Sequence, residues 1–310
     1  MIQIYINYLK LVIDFIHKNL KIHFQFDEYS EISSSNINYG VNDMFKTDDK
    51  LVQACLGISY AILFLYGIIN FFNPEYIIDR YATLDNNDTN KWFLGWYGIM
   101  NFGAVAGIVY MGYKGLERGY FAYAMPLSVL FVIWGIMGQM ALSAEDQNWT
   151  AVVMFVINAV AIFIARFRGL GPLNFDRADN FWGTNDKVCQ TVFWLALAAQ
   201  SLFIIMYIVN PAQIIQDTPG LEMSSVAQRF AMGIMFFSIA WVIALLYQMW
   251  NGYSMAMVVT ALVTSIIFFA IVCNNAAANG FGEGNTLLAL TFTGNFIGSL
   301  IVFFRLQANH

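Results

Sequence analysis

Charge is what this 310-residue chain has least of: Asp, Glu, Lys and Arg make up 11% of it, with a net charge of −5. A soluble domain carries roughly 25% charged residues, so this chain could not solvate the surface of a globule of its length. No run or stripe of Lys and Arg is present, which excludes a nucleic-acid surface. Histidine is as scarce. His17, His23 and His310 lie outside the apolar runs, leaving no intramembrane imidazole for haem or chlorophyll, although other axial ligands stay open. No Asp, Glu, Lys or Arg stands at the centre of an apolar run, so a proton relay or ion-pair pump has no parts. Neither HExxH, a P-loop nor GxSxG occurs. No catalytic residues and no metal or organic cofactor are expected. Cys55, Cys189 and Cys273 have no CxxC spacing and read as small buried hydrophobes.

Apolar length and repetition stand in place of charge. Hydrophobic residues make up 59% of the chain, with uncharged runs of about 20 residues, the length that crosses a hydrocarbon core about 30 Å thick. The chain reads as an all-α polytopic membrane protein. Thr47-Asp48-Asp49-Lys50 answers to Thr184-Asn185-Asp186-Lys187, and Gln53 to Gln190. Asn73-Pro74 with Ile77-Ile78 answers to Asn210-Pro211 with Ile214-Ile215. Phe155, Asn158, Phe167 and Arg168 answer to Phe292, Asn295, Phe304 and Arg305. Gly98-Ile99-Met100 matches Gly233-Ile234-Met235 once a two-residue slip in the preceding loop is allowed.

Each copy holds four apolar runs. They are Leu51–Phe72, Trp92–Tyr113, Tyr120–Leu142 and Trp149–Ala165, then Val188–Val209, Phe230–Trp250, Tyr253–Cys273 and Leu287–Phe304. The expectation is eight transmembrane helices in two four-helix repeats, residues 47–168 and 184–310, joined by a cytoplasmic linker over 169–183. Four is even, so the copies enter the membrane the same way up, as a parallel repeat. Asn73-Pro74 and Asn210-Pro211 stop the first helix of each copy. The short links Lys114–Gly119 and Asn251–Gly252 predict helices two and three of each copy as antiparallel neighbours. Across eight spans, Arg80, Lys91 and Arg229 fall on one side and all other Lys and Arg on the other. The positive-inside rule then puts both termini in the cytoplasm or its organellar equivalent.

Residues 1–46 precede the repeats. Over 1–24, Gln3, Asn7, Lys10, Asp14, His17 with Lys18, and Lys21 recur at helical spacing, a narrow polar stripe that fits an amphipathic helix in the membrane interface. A ninth span would bury Asp14 at a cost of about 2.5–3.5 kcal/mol, and a cleaved leader would lack a small-residue cleavage site. Residues 25–46 read as a polar linker.

Within the spans the candidate ligand-binding groups are neutral. Asn158 and Asn295 hold the same place in the fourth helix of each copy, and an amide in hydrocarbon needs a partner. Each either bonds a neighbouring helix, or the two face each other across a pseudo-symmetric central site. Asn101, Gln139, Gln200 and Gln248 have no counterpart and are the candidates for one asymmetric site. Gly103 to Gly107 and Gly294 to Gly298 are small-xxx-small patterns that let backbones approach. Asp49, Asp186, Arg168 and Arg305 read as interface anchors or as a ring of Asp–Arg pairs joining the copies. Trp92, Trp96, Trp149, Trp182 and Trp250 read as an aromatic belt, and residues 274–284 as a loop.

A four-helix unit with Asn73-Pro74 past its first helix, Gly98-Ile99-Met100 with Gly103 in its second and Phe167-Arg168 at its close resembles the DoxX-like small membrane proteins. The resemblance spans residues 47 to 305 as two fused units. The arginine such proteins carry before the second helix is matched by Arg229, while the first copy offers Lys91. The class implies a bundle but no single activity. The functional expectation is therefore a non-catalytic membrane subunit or scaffold, with membrane lipids and a membrane protein or a second copy as partners. The alternative is a carrier or channel for a neutral or amphipathic small molecule at the interface of the repeats.

Overall fold

The computed structural model describes residues 47–80, 86–144, 147–173, 176–210, 212–280 and 282–307. The amphipathic segment and linker expected over 1–46 lie outside them, as does Pro211. The described helices are α1 (Lys50–Phe72), α2 (Pro74–Ile78), α3 (Asp88–Lys114), α4 (Arg118–Met140), α5 (Thr150–Leu170), α6 (Lys187–Val209), α7 (Gln213–Gln216), α8 (Ser225–Asn251), α9 (Met255–Asn279) and α10 (Glu283–Gln307). No strand occurs among the described residues, and eight of these helices are long and apolar enough to cross a membrane. This is an integral membrane protein. An all-helical answer follows because a backbone in hydrocarbon has no water to bond and must satisfy itself within each segment.

Local chemistry sets the helix ends. Asp49 caps α1 by accepting from Leu51 N at 2.9 Å and Val52 N at 3.3 Å, and Asp186 caps α6 in the same way from Val188 N and Cys189 N. Pro74 ends α1 by opening α2 at its first position, where its missing N–H costs nothing. Helix α9 overruns its expected end and continues to Asn279. The supposed loop is stitched by amides: Asn275 donates to Pro219 O and Asn285 Oδ1, both at 3.1 Å, and Asn285 donates to Gly280 O at 3.0 Å. Buried asparagines that satisfy one another act here as a helix-end fitting. Helices α3 and α8 are both 27 residues long, capped by Asn87 and Ser224 and closed by Gly115 and Gly252. That leaves no room for the two-residue slip, so Gly98 and Gly233 stand on different turns.

Followed by neighbour contacts, the long helices close a circuit: α1, α3, α9, α10, α6, α8, α4, α5 and back to α1. Helices α3 and α8 also touch across its middle. The expected pairing of α3 with α4 is not how the backbones pack. Helix α3 lies against α9, and α4 against α8. The glycines decide this. A Cβ at Gly103 would overlap the Thr264 hydroxyl, and one at Gly107 the Thr260 hydroxyl and the Tyr120 ring. Both threonines belong to α9, so only glycine lets α3 sit that close. Gly298 likewise faces Val192 of α6, whereas a Cβ at Gly294 would meet nothing.

The charged pairs also differ from one alternative. Arg168 Nε donates to Asp49 Oδ2 at 2.5 Å and Arg305 Nε to Asp186 Oδ2 at 2.7 Å. Each joins the first and last long helix of its own half, so no Asp–Arg ring links the halves. The link between halves at that end is Glu117, before α4, which accepts from Ser254 Oγ at 2.6 Å and Ala256 N at 3.0 Å at the start of α9. Burial pushes the Glu117 carboxyl above its ordinary value, and these bonds only partly offset it. Three of the five belt tryptophans are core residues: Trp92, Trp96 and Trp182 are buried, and only Trp149 and Trp250 are exposed.

Gly103→Leu should cost on the order of 1–3 kcal/mol by overpacking, read as a lower melting temperature in detergent. Gly294→Leu should melt with the wild type.

Candidate functional site: a one-mouthed cavity

The contact between α3 and α8 divides the interior of the circuit in two. On one side α1, α3, α8, α4 and α5 surround a cavity of about 390 Å³. Its wall is mostly apolar and aromatic, including Tyr66, Tyr97, Phe131, Trp134, Phe155 and Phe230. Along α4 it runs from Tyr120 past Gln139. The stretch from Tyr123 to Gln139 alone amounts to about 24 Å at the rise of an α-helix. One end is closed, because Tyr120 and Tyr123 are fully buried and Ile162 nearly so. The other end, beside the exposed Met137 and Ala141, is the mouth.

Hydrogen bonds fix the wall near the mouth. Tyr97 Oη donates to Phe230 O at 2.8 Å and Trp134 Nε1 to Arg229 O at 3.0 Å, so α3 and α4 both grip the first turns of α8. The Tyr97 and Trp134 rings stack with centroids 5.4 Å apart. A Cβ at Gly233 would overlap the Tyr97 hydroxyl, so glycine is what admits this ring. Pro126 interrupts the hydrogen-bond ladder of α4 within the wall. At the closed end Tyr120 Oη donates to Ala104 O at 2.9 Å, while the buried Tyr123 hydroxyl has no hydrogen-bond partner among the described residues.

On the other side of the α3–α8 contact, α6, α10, α9, α3 and α8 enclose the matching space, and aromatic rings fill it. Trp96 of α3 lies 4.4 Å from Phe268 and 5.7 Å from Phe292, centroid to centroid. Phe268 and Phe292 stack at 4.5 Å, and Trp92 backs Trp96 at 4.7 Å. A hollow of about 30 Å³ lies beside Phe203, Asn210 and Asp217.

Three of the six candidate residues meet in the cavity wall. Asn158 lines it at mid-depth and accepts from Ser59 Oγ at 2.7 Å. Asn101 lines it from α3, and Gln139 lines it near the mouth, where its Oε1 accepts from Asn148 N at 2.6 Å. The other three stand elsewhere. Asn295 and Gln200 are half-buried on α10 and α6. Gln248 is a structural brace, donating to Ala244 O at 3.2 Å and accepting from Ser254 N at 2.9 Å. Asn158 and Asn295 do not face each other: α5 packs on α1 and α4, and α10 on α9 and α6. Sequence reasoning missed Ser59, Trp134 and Tyr123 as wall residues. It placed Arg229 by side but not in a site, although a cation so near an apolar run was the available signal.

No family model matches this chain, and neither does any curated protein or solved structure.

Asn158→Leu should leave the buried Ser59 hydroxyl unpaired and lower stability by about 1 kcal/mol or more. Asn295→Leu should leave the melting temperature in detergent unchanged, and Ser59→Ala combined with Asn158→Leu should recover most of the loss.

Proposed function

We propose that this protein binds an amphipathic small molecule in the cavity and carries it within or to the membrane, without chemistry on it. One observation carries the reading: an aromatic-walled pocket of about 390 Å³ inside the bundle. Small-molecule sites fall at about 300–1,000 Å³, apolar with a few placed polar groups. Lining atoms that face empty space forgo their dispersion contacts, a loss that grows with the volume left unfilled. Water is a poor filler for so apolar a wall. A ligand with a hydrocarbon body removes that cost.

Two further proposals give the pocket its setting. The halves are fused copies of one four-helix unit, supported by matching caps at Asp49 and Asp186, matching Gln53–Thr47 and Gln190–Thr184 bonds at 2.6 Å, and Asp–Arg pairs each spanning 119 residues. The DoxX-like resemblance agrees with such a unit and adds no activity. Both termini lie on the cytoplasmic side, supported by the Lys and Arg bias. The mouth, at the end where Arg229 stands, then opens on the opposite face.

A second reading, a non-catalytic subunit or scaffold of a membrane complex, is favoured by α6 and α10. Their spans are the least buried, and Leu195, Leu202 and Leu290 project apolar surface that lipid or a partner chain could cover.

Purified from its native membrane in mild detergent, the protein should carry a small amphiphile at near one per chain in native mass spectrometry. Gly138→Phe should empty it, since Gly138 lines the cavity and a Cβ there meets no neighbour. A ligand-free chain with stoichiometric protein partners would replace the carrier with the subunit.

A further inference from the structure

Resting on the cavity as a binding site, we propose that its mouth selects an anionic head and that its ligand is a single-chain amphiphile with a carboxylate or phosphate on a hydrocarbon tail. Arg229 is the group that reads the head. It lines the cavity from the second turn of α8 and is half-buried. Among the described residues no Asp or Glu lines the cavity, and the one formal charge on that described wall is positive.

The other buried or paired cations have visible structural work. Arg168 and Arg305 hold aspartates, Lys91 holds Glu75 at 2.8 Å, and buried Arg166 donates to Gly171 O at 2.7 Å. Arg80 and Arg177 lie over aromatic rings. Among the described residues Arg229 alone is half-buried with no acid, carbonyl or ring partner for its guanidinium. A half-buried cation with no partner inside the protein carries a desolvation cost that an anionic partner would offset.

The closed half supplies the contrast. Arg229 is the fifth residue of α8, and the fifth residue of α3 is Trp92, which backs the Trp96 plug. The cation stands where the cavity is open and an indole where it is filled. The backbone that carries the arginine is also held, because Trp134 Nε1 donates to its carbonyl and Tyr97 Oη to the next one. Below the mouth the pocket runs about 24 Å, longer than one leaflet's share of a hydrocarbon core about 30 Å thick. Spread over that length, about 390 Å³ leaves room for one chain abreast.

The test uses the full chain in phosphatidylcholine nanodiscs at mildly alkaline pH, with three tritiated probes sharing one chain: palmitate, 1-palmitoyl lysophosphatidate and hexadecanol. One or both anions should bind at least about tenfold more tightly than the alcohol, the worth of a charge-assisted hydrogen bond. Palmitate alone would identify a free fatty acid, and lysophosphatidate alone a lipid phosphate. Arg229→Gln should erase the preference while hexadecanol binding persists, which also reports an intact fold, and Arg229→Lys should restore part of it. Equal binding of all three probes to wild type, lost in Gly138→Phe, would overturn the anionic head and leave the cavity standing. Binding that Gly138→Phe does not alter, or no binding of any probe, would overturn both.

Discussion

Tyr97 of α3 and Phe230 of α8 meet at the point on which the interior depends. Hydrocarbon supplies no hydrophobic drive between helices, so association rests on close van der Waals contact and on hydrogen bonds that leave no polar group stranded. Gly103 and Gly107 let α3 press onto α9, and Gly233 lets the Tyr97 hydroxyl reach the backbone of α8. With α3 and α8 held together, the eight-helix circuit cannot keep one central lumen. It has two chambers, each walled by four helices of one half and one of the other.

The chambers share a frame and differ in filling. Trp96 with Phe268 and Phe292 occupies one at ring separations of ordinary aromatic contact. The other keeps its aromatics on the wall and its centre open, although it forgoes the dispersion contacts a filled chamber would make. A chain able to fill one chamber with three rings could have filled the second. The proposed ligand would occupy that space, and the polar groups around it would orient one: Arg229 and Gln139 at the mouth, the Ser59–Asn158 pair at mid-depth and the Tyr123 hydroxyl at the closed end.

The helices were legible because hydropathy and capping are local. Leu51–Phe72 was read within one residue of α1, and the proline stop at Asn73-Pro74 is the stop observed. Asn158 could be flagged because an amide in hydrocarbon must bond something, but its partner Ser59 is 99 residues away and nothing local names it. The asparagine-rich stretch after Cys273 misled for the same reason. Polar composition reads as loop until Pro219 and Asn285 arrive from other segments to satisfy it. Trp92, Trp96 and Trp182 misled in the opposite sense, since an indole near a span end looks interfacial whether it meets lipid or protein.

What the sequence by itself determined is the solvent and the elements: too little charge for water, runs long enough for a bilayer, and caps and stops that bound each helix. Those properties are set within about twenty consecutive residues, so the chain states them without reference to its own fold. The order of helices around the circuit, the α3–α9 and α4–α8 pairings, and the fact that one chamber is plugged and the other open were decided only by the tertiary structure. They depend on which glycine faces which threonine and on which ring enters which space. In a membrane, where every helix face is apolar, that shape complementarity leaves no periodic trace in the sequence.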